Sequence, residues 1–220
     1  MSPFAARLLA GHPRAGTAIG AGYVLFADRV LAVTQPGKLR MPNGLEADVE
    51  LQPGETVAAG GGELRTASSV ITPGPLWDPR PRPRVRLSIR PRLELRLEEL
   101  VGRGPGLTPL GDDVLVGYLA GAALAGAWAP LALACGGRTT ALSHTLLRLA
   151  ACGQLPEAAH HLLERGDPGP LLDFGATSGK GIALGLALRG QPGSGRTVAL
   201  TLPLEQPALR CELVIEEQEC

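Results

Sequence analysis

Aromatic residues and lysines are scarce in this 220-residue chain, and their scarcity argues against several classes of function. Phe, Trp and Tyr make up 3% of the sequence, which leaves few rings on which the bases of a single strand could stack. The formal net charge is zero, with 21 basic and 21 acidic residues, so no positive excess marks a nucleic-acid-binding surface. We therefore expect no nucleic-acid partner. Only Lys38 and Lys180 are lysines, so arginine is the usual cation of this chain.

Cysteine is also scarce, and its spacing does not resemble that of a metal site. The sequence contains no Cys-x-x-Cys pair, and no histidine lies at ligand spacing from a cysteine; the cysteines are Cys135, Cys152, Cys211 and Cys220. Free thiols are typical of the reducing cytosol. The N-terminus lacks a basic segment followed by a long apolar run, so the sequence predicts no signal peptide and a cytoplasmic location.

One uncharged apolar run, residues 114–135, is long enough to cross a bilayer. Half of it is Ala and Gly, and Pro130 interrupts it. Its larger apolar residues are spaced as on a helix that packs against protein. We expect a buried helix here and no membrane span.

The first part of the chain alternates short β-type runs with Pro-Gly and Asn-Gly turn signals. Residues 45–51 alternate apolar and acidic side chains, as a half-buried strand does. After a short helix within residues 1–14, the predicted strands are 22–27, 29–34, 39–41, 45–51, 56–58, 63–65 and 69–71. Closely spaced short strands predict an antiparallel β lobe, either a small barrel or a sheet, over residues 15–85.

Alternating Pro and Arg residues over 78–84 favour an extended linker. A phosphate-binding strip is the alternative, which the lack of interleaved aromatic residues and of net positive charge disfavours.

The rest of the chain is predicted to be mainly helical. We predict helices over 91–101, 113–127, 140–151, 156–165, 170–174 and 179–189. The first of these also fits a strand, because three of its leucines are spaced by two. Residues 197–202 and 209–215 alternate like a terminal hairpin. The predicted fold class is α+β, with a helical lobe over 86–190 and a hairpin with an acidic tail over 191–220.

Residues 102–113 join four glycines, two prolines and two adjacent aspartates ahead of an apolar helix. A glycine-rich loop that enters a helix N-terminus can bind an anion, because its free N–H groups and the helix dipole point the same way. Residues 135–143 and 175–181 are two further helix starts with glycines, hydroxyls and one cation each. Helix capping is the alternative explanation for each start taken alone.

If the three starts converge, they form a pocket for a small anionic ligand. Its candidate binding residues are Gly104, Gly106, Thr108, Gly111, Arg138, Thr139, Thr140, Ser143, Thr177, Ser178, Gly179 and Lys180. Asp112 and Asp113 would face the same pocket and orient an amide or a divalent cation such as Mg²⁺; no other cofactor is evident. Convergence requires Asp113 to lie near Arg138 or Ser178.

The third start is not a nucleotide-binding P-loop. Phe174 stands where the first glycine of that motif is required, and Gly181 stands where a Ser or Thr would hold Mg²⁺. This argues against a kinase-like or ATP-dependent enzyme.

Taken together, the three motifs resemble the AllH-like family. They read Gly-x-Gly-x-Gly-Leu-Thr-Pro-x-Gly-Asp-Asp over 102–113, Thr-Thr-x-x-Ser over 139–143 and Gly-x-Thr-Ser-Gly over 175–179. Their order and spacing agree, and the resemblance covers most of residues 15–190. The chain departs from the family pattern at Leu110, where a small hydroxyl residue is usual, and at Ala176, where His is common.

The resemblance implies a subunit of oxamate carbamoyltransferase, which acts with companion subunits in allantoin and purine catabolism. Carbamoyl phosphate and oxamate would react to give oxalurate and phosphate, or the reverse. Asp112 or Asp113 would then take a proton from the attacking amide nitrogen, so Asp112→Asn would abolish turnover. A non-catalytic partner or ligand-binding subunit is the alternative.

Overall fold

The computed structural model describes residues 1–20, 22–93, 95–127, 137–190, 195–204 and 208–218. The chain divides into two units, Met1–Pro79 and Arg80–Cys220. The first unit is rich in antiparallel strands and the second in helices, which confirms the predicted α+β class. Cys152 and Cys211 are free thiols, and Cys135 and Cys220 lie outside the described residues.

The first unit combines one short helix, α1 (Pro3–Leu9), with a sheet in the order β4-β3-β2-β1-β5-β6-β7. Its strands are β1 (Arg14–Ala18), β2 (Tyr23–Phe26), β3 (Arg29–Thr34), β4 (Gly44–Glu46), β5 (Thr56–Gly60), β6 (Glu63–Arg65) and β7 (Val70–Ile71). The β3–β4 pair is parallel and its other described neighbours are antiparallel. Alternate strand positions and one face of α1 form the apolar core.

Two predictions for this unit were wrong. Residues 39–41 form no strand, and the predicted strand over 45–51 is reduced to β4. A turn explains the first difference, since the Asn43 side chain donates a hydrogen bond to the Val30 carbonyl oxygen at 2.9 Å and anchors the chain there. Strand β4 ends at Glu46 because its neighbour β3 ends at Thr34, which pairs with Glu46. Strand β1 escaped prediction because its residues are small or polar, with Gly16 pressed against the Phe26 ring.

The second unit contains a three-stranded antiparallel sheet in the order β8-β10-β9. Strands β9 (Arg196–Leu202) and β10 (Leu209–Glu217) form the predicted hairpin, and β8 (Val85–Arg90) pairs with β10. Sequence analysis missed β8. The Pro-Arg segment ahead of it is held in place, because the Arg84 N–H donates to the Leu163 carbonyl at 2.7 Å.

The helices of this unit agree with the predictions within a few residues, with one exception. They are α2 (Leu97–Leu100), α3 (Leu110–Leu124), α4 (Ala141–Ala150), α5 (Glu157–Arg165), α6 (Gly169–Leu172) and α7 (Ser178–Ala187). The exception is the predicted helix over 91–101, which is reduced to α2. None of the described helices is long and apolar enough to cross a membrane, and residues 128–135 of the apolar run lie outside the described part.

Helices α3 and α7 pack together through glycines at backbone distance. A methyl group at Gly117 would overlap the Ile182 carbonyl oxygen, and one at Gly185 would overlap the Val114 carbonyl oxygen. One turn earlier, Gly181 lies against the Asp113 side chain. Residue numbers therefore rise together along the crossing, so the two helices are parallel and their N-termini lie at the same end.

Candidate functional site

The glycine loop uses backbone conformations that favour glycine. Gly102, Gly104 and Gly106 have φ angles of 70°, 119° and 96°. The Gly111 N–H then donates to the Arg103 carbonyl oxygen at 2.9 Å, and α3 begins at Leu110. The loop thus folds back over the start of α3, which has no side-chain cap of its own.

Asp112 connects this loop to the start of α4. Its side chain is buried, with 1% of the residue surface exposed. One carboxylate oxygen accepts the Gly102 N–H at 2.8 Å, and the other accepts the Thr139 hydroxyl. Thr140 adds a second connection, because its hydroxyl donates to the Leu107 carbonyl oxygen at 2.6 Å while also capping α4.

Asp113 points to the start of α7. The residue is 2% exposed, the Ser178 side chain hydrogen-bonds its carboxyl group, and its Oδ2 atom has no hydrogen-bond partner. Burial raises the pKa of Asp113 to about 8; the nearby Asp112 also raises it, and the Ser178 hydrogen bond partly opposes both. The carboxyl group is therefore mainly protonated at neutral pH. The Ser178 hydroxyl lies 3.0 Å from the Thr108 hydroxyl of the loop.

These contacts bring the three helix starts together. The first start touches the second through Asp112 and Thr139, and the third through Asp113, Thr108 and Ser178. The convergence condition is met by the Asp113–Ser178 contact. Ligand binding at these residues stays a prediction.

The two candidate cations are placed differently. The Arg138 guanidinium is exposed and donates to the Glu98 carbonyl oxygen at 2.9 Å. This hydrogen bond connects α2 with the segment that precedes α4. Lys180 is half-buried in the first turn of α7. Of the two, Lys180 belongs to the helix that carries Ser178.

The remaining candidates have varied surroundings. Gly104 and Gly106 are exposed, whereas Gly179 is packed against the Leu171 carbonyl oxygen. Thr177 precedes α7 but makes no side-chain cap. The Ser143 hydroxyl is buried without a hydrogen-bond partner. Cys135 and Gly136, at the beginning of the second start, lie outside the described residues.

The donor set does not favour a divalent cation at the aspartate pair. Both Asp112 oxygens already accept hydrogen bonds, from the Gly102 N–H and the Thr139 hydroxyl. The described ranges contain no group of three or more His, Cys, Asp or Glu residues that could hold a metal ion. The Mg²⁺ site stays a prediction from the sequence alone.

Sequence analysis missed the glycine crossing that aligns α3 with α7. Its signal is a pair of Gly-x-x-x-Gly repeats, Gly117 with Gly121 and Gly181 with Gly185. Such spacing puts small residues on one helix face and allows close backbone approach.

Comparison with known protein families gives a match over the region that contains the candidate site. Residues 100–189 match the model of the family described as oxamate carbamoyltransferase subunit AllH. This confirms the resemblance over a segment that is less than half of the chain and contains all three motifs. No curated protein and no solved structure matches the chain.

Proposed function

We propose that the starts of α3, α4 and α7 bind a small carboxylate or carbamoyl compound, and that the chain serves as a subunit of a carbamoyltransferase with companion subunits. One observation carries the proposal: Asp113 is a buried acid with an unpartnered oxygen, at the place where two parallel helices begin. Buried acids with raised pKa values are concentrated at functional sites. The description of the matching family names oxamate carbamoyltransferase, which supports oxamate as the acceptor of a carbamoyl group.

The helix starts supply the anion-binding groups. Free N–H groups of the first turn and the helix dipole favour negative charge at an N-terminus. The hydroxyls of Thr108 and Ser178 add donors, and Lys180 adds a positive charge on the same helix. A protonated Asp113 does not repel an anion, so its raised pKa suits this role.

The reaction would use Asp113 as an acid–base group. The oxamate nitrogen attacks the carbamoyl carbon of carbamoyl phosphate, the new C–N bond forms, and the C–O bond to phosphate breaks. The proton released from nitrogen goes to the Asp113 carboxylate; in the reverse direction, the carboxyl group returns it to the departing nitrogen. Backbone N–H groups of the glycine loop would stabilise the charge that develops on the carbamoyl oxygen.

This role sets a pH dependence. With a pKa of about 8, roughly one Asp113 in ten is ionised at pH 7. The forward reaction needs the ionised carboxylate, so its turnover should reach half of its maximum at about pH 8 and level off about one unit above that pH. The reverse reaction needs the protonated form, and its turnover should fall above that pH.

The test compares Asp113→Asn with Asp173→Asn in the assembled enzyme. Asp113→Asn should lower kcat by about 100-fold or more while keeping the fold, as loss of a general acid–base group does. Asp173 is exposed at the end of α6, and its replacement should leave kcat unchanged. Retention of kcat by folded Asp113→Asn would overturn the catalytic role. If Lys180→Ala also leaves oxamate affinity unchanged in calorimetry, the proposed site is wrong as a whole.

A further inference from the structure

The two adjacent aspartates have opposite surroundings. Successive residues lie about 100° apart around a helix, so Asp112 and Asp113 point to different sides of α3. Asp112 has a hydrogen-bond donor on each oxygen, whereas Asp113 has an oxygen without one. A carboxylate that already accepts bonds on both oxygens is poorly placed to take a proton from a substrate.

The donors to Asp112 come from two segments far apart in sequence. Gly102 begins the glycine loop, and Thr139 immediately precedes the N-cap of α4. The two segments are in close contact there, since a methyl group at Gly102 would overlap the Arg138 carbonyl oxygen. Asp112, on α3, thus contacts both the glycine loop, at Gly102, and the segment that precedes α4, at Thr139.

Burial makes these two hydrogen bonds important. A buried carboxylate is costly unless donors compensate for its lost hydration, and hydrogen bonds to a charged acceptor are stronger than neutral ones. Loss of either donor would leave Asp112 undercompensated. The carboxylate and its donors therefore fix one another, and with them the position of the loop relative to α3.

We propose that Asp112 is a positioning residue, an assignment that rests on the proposed function. Its carboxylate binds Gly102 and Thr139 to α3. It thereby holds the glycine loop and the start of α4 around Asp113. It exchanges no proton with the substrate. This assignment separates the roles of two residues that the sequence places side by side as equal catalytic candidates.

The test uses isosteric and truncating variants of Asp112 in the assembled enzyme. Asp112→Asn keeps an oxygen for the Gly102 N–H, and its amide group can donate to the Thr139 hydroxyl. We expect kcat within about tenfold of the original value. The rise of forward turnover with pH should persist but move to lower pH, because the substitution removes the Asp112 charge that helps to raise the pKa of Asp113. Asp112→Ala removes both bonds and should lower kcat/KM by about 100-fold, with faster hydrogen exchange at the Gly102 amide.

Thr139 provides a second test if Asp112→Ala fails to fold. Thr139→Ser keeps the hydroxyl and should retain kcat/KM, whereas Thr139→Val removes it and should speed exchange of the Gly102 amide and raise KM. A loss of kcat in folded Asp112→Asn as large as in Asp113→Asn, with Gly102 exchange unchanged, would overturn the positioning role. Equal Gly102 exchange in Thr139→Ser and Thr139→Val would also overturn it. The proposed function fails separately, through an active Asp113→Asn variant.

Discussion

The two units of this chain differ in what they bury. In the first unit, the described buried polar residues, Ser2 and Asn43, are uncharged. The second unit buries two carboxyl groups within one helical turn, Asp112 and Asp113. Burying an acid reduces stability unless its surroundings compensate for the lost hydration. The buried residues of the first unit therefore form an apolar core, whereas the second unit bears a desolvation cost of the kind that active and binding sites bear.

The units also differ in how they use glycine. In the first unit, Gly37 and Gly54 have positive φ angles in turns, and a methyl group at either would meet no other atom. In the second unit, Gly117 and Gly185 lie inside helices, pressed against the backbone of the facing helix. Gly37 and Gly54 thus reverse the chain, whereas Gly117 and Gly185 permit the helix contact that aligns the site.

The largest expected effect tests this difference in glycine use. Gly185→Ala places a methyl group where the Val114 carbonyl oxygen lies, so helices α3 and α7 must separate. Overpacking of this kind should lower the free energy of unfolding by about 1–3 kcal/mol or more. Gly74→Ala, in open space in the first unit, should change it by less than about 0.5 kcal/mol. Urea unfolding measures both, and equal effects would remove the contrast.

An effect that is smaller for each pH unit should appear in the pH dependence of stability. Folding raises the pKa of Asp113 from 3.8 to about 8, so between these values the folded state binds more protons than the unfolded state. This contribution to stability is complete below pH 3.8 and is lost as pH rises through about 8. The slope should approach about 1.4 kcal/mol per pH unit at most. Asp113→Asn should remove it in urea unfolding at several pH values, and parallel curves for both proteins would contradict the prediction.

The smallest expected effect concerns the two cations. Arg138→Ala removes an exposed hydrogen bond to the Glu98 carbonyl, and should lower the free energy of unfolding by about 0.5–1.5 kcal/mol. Oxamate affinity should change less than about threefold. Lys180→Ala should lower that affinity by about tenfold, which corresponds to the binding free energy of one hydrogen bond to a charged group. The reverse order in calorimetry would place Arg138, and not Lys180, at the ligand.

Local signals explain how much of the fold could be predicted. Thr140 caps α4, and Gly166 ends α5 with a φ angle of 67°, as its place after the helix suggests. Both signals act within a few residues of their own position. Strand β8 was missed because its pattern Val-Arg-Leu-Ser-Ile-Arg adjoins a Pro-Arg segment, and its pairing depends on residues more than 100 positions later.

The site shows the same limit. The shared chemistry of three helix starts was visible in the sequence, and it led to the expectation that they converge. The separate surroundings of Asp112 and Asp113 were not visible, because they depend on Thr139 and Ser178 from distant parts of the chain. Neighbouring residues of one type look equivalent until their distant partners are known.

The parallel crossing of α3 and α7 has an electrostatic consequence. Two dipoles side by side with the same direction repel each other, and the glycine contacts bring these two very close. An anion at their shared positive end would act as a counter-ion to both helices at once. Ligand binding and helix pairing would then be linked, because the bound substrate would stabilise the helix pair that forms its site. Saturation with substrate would therefore raise the melting temperature of the protein.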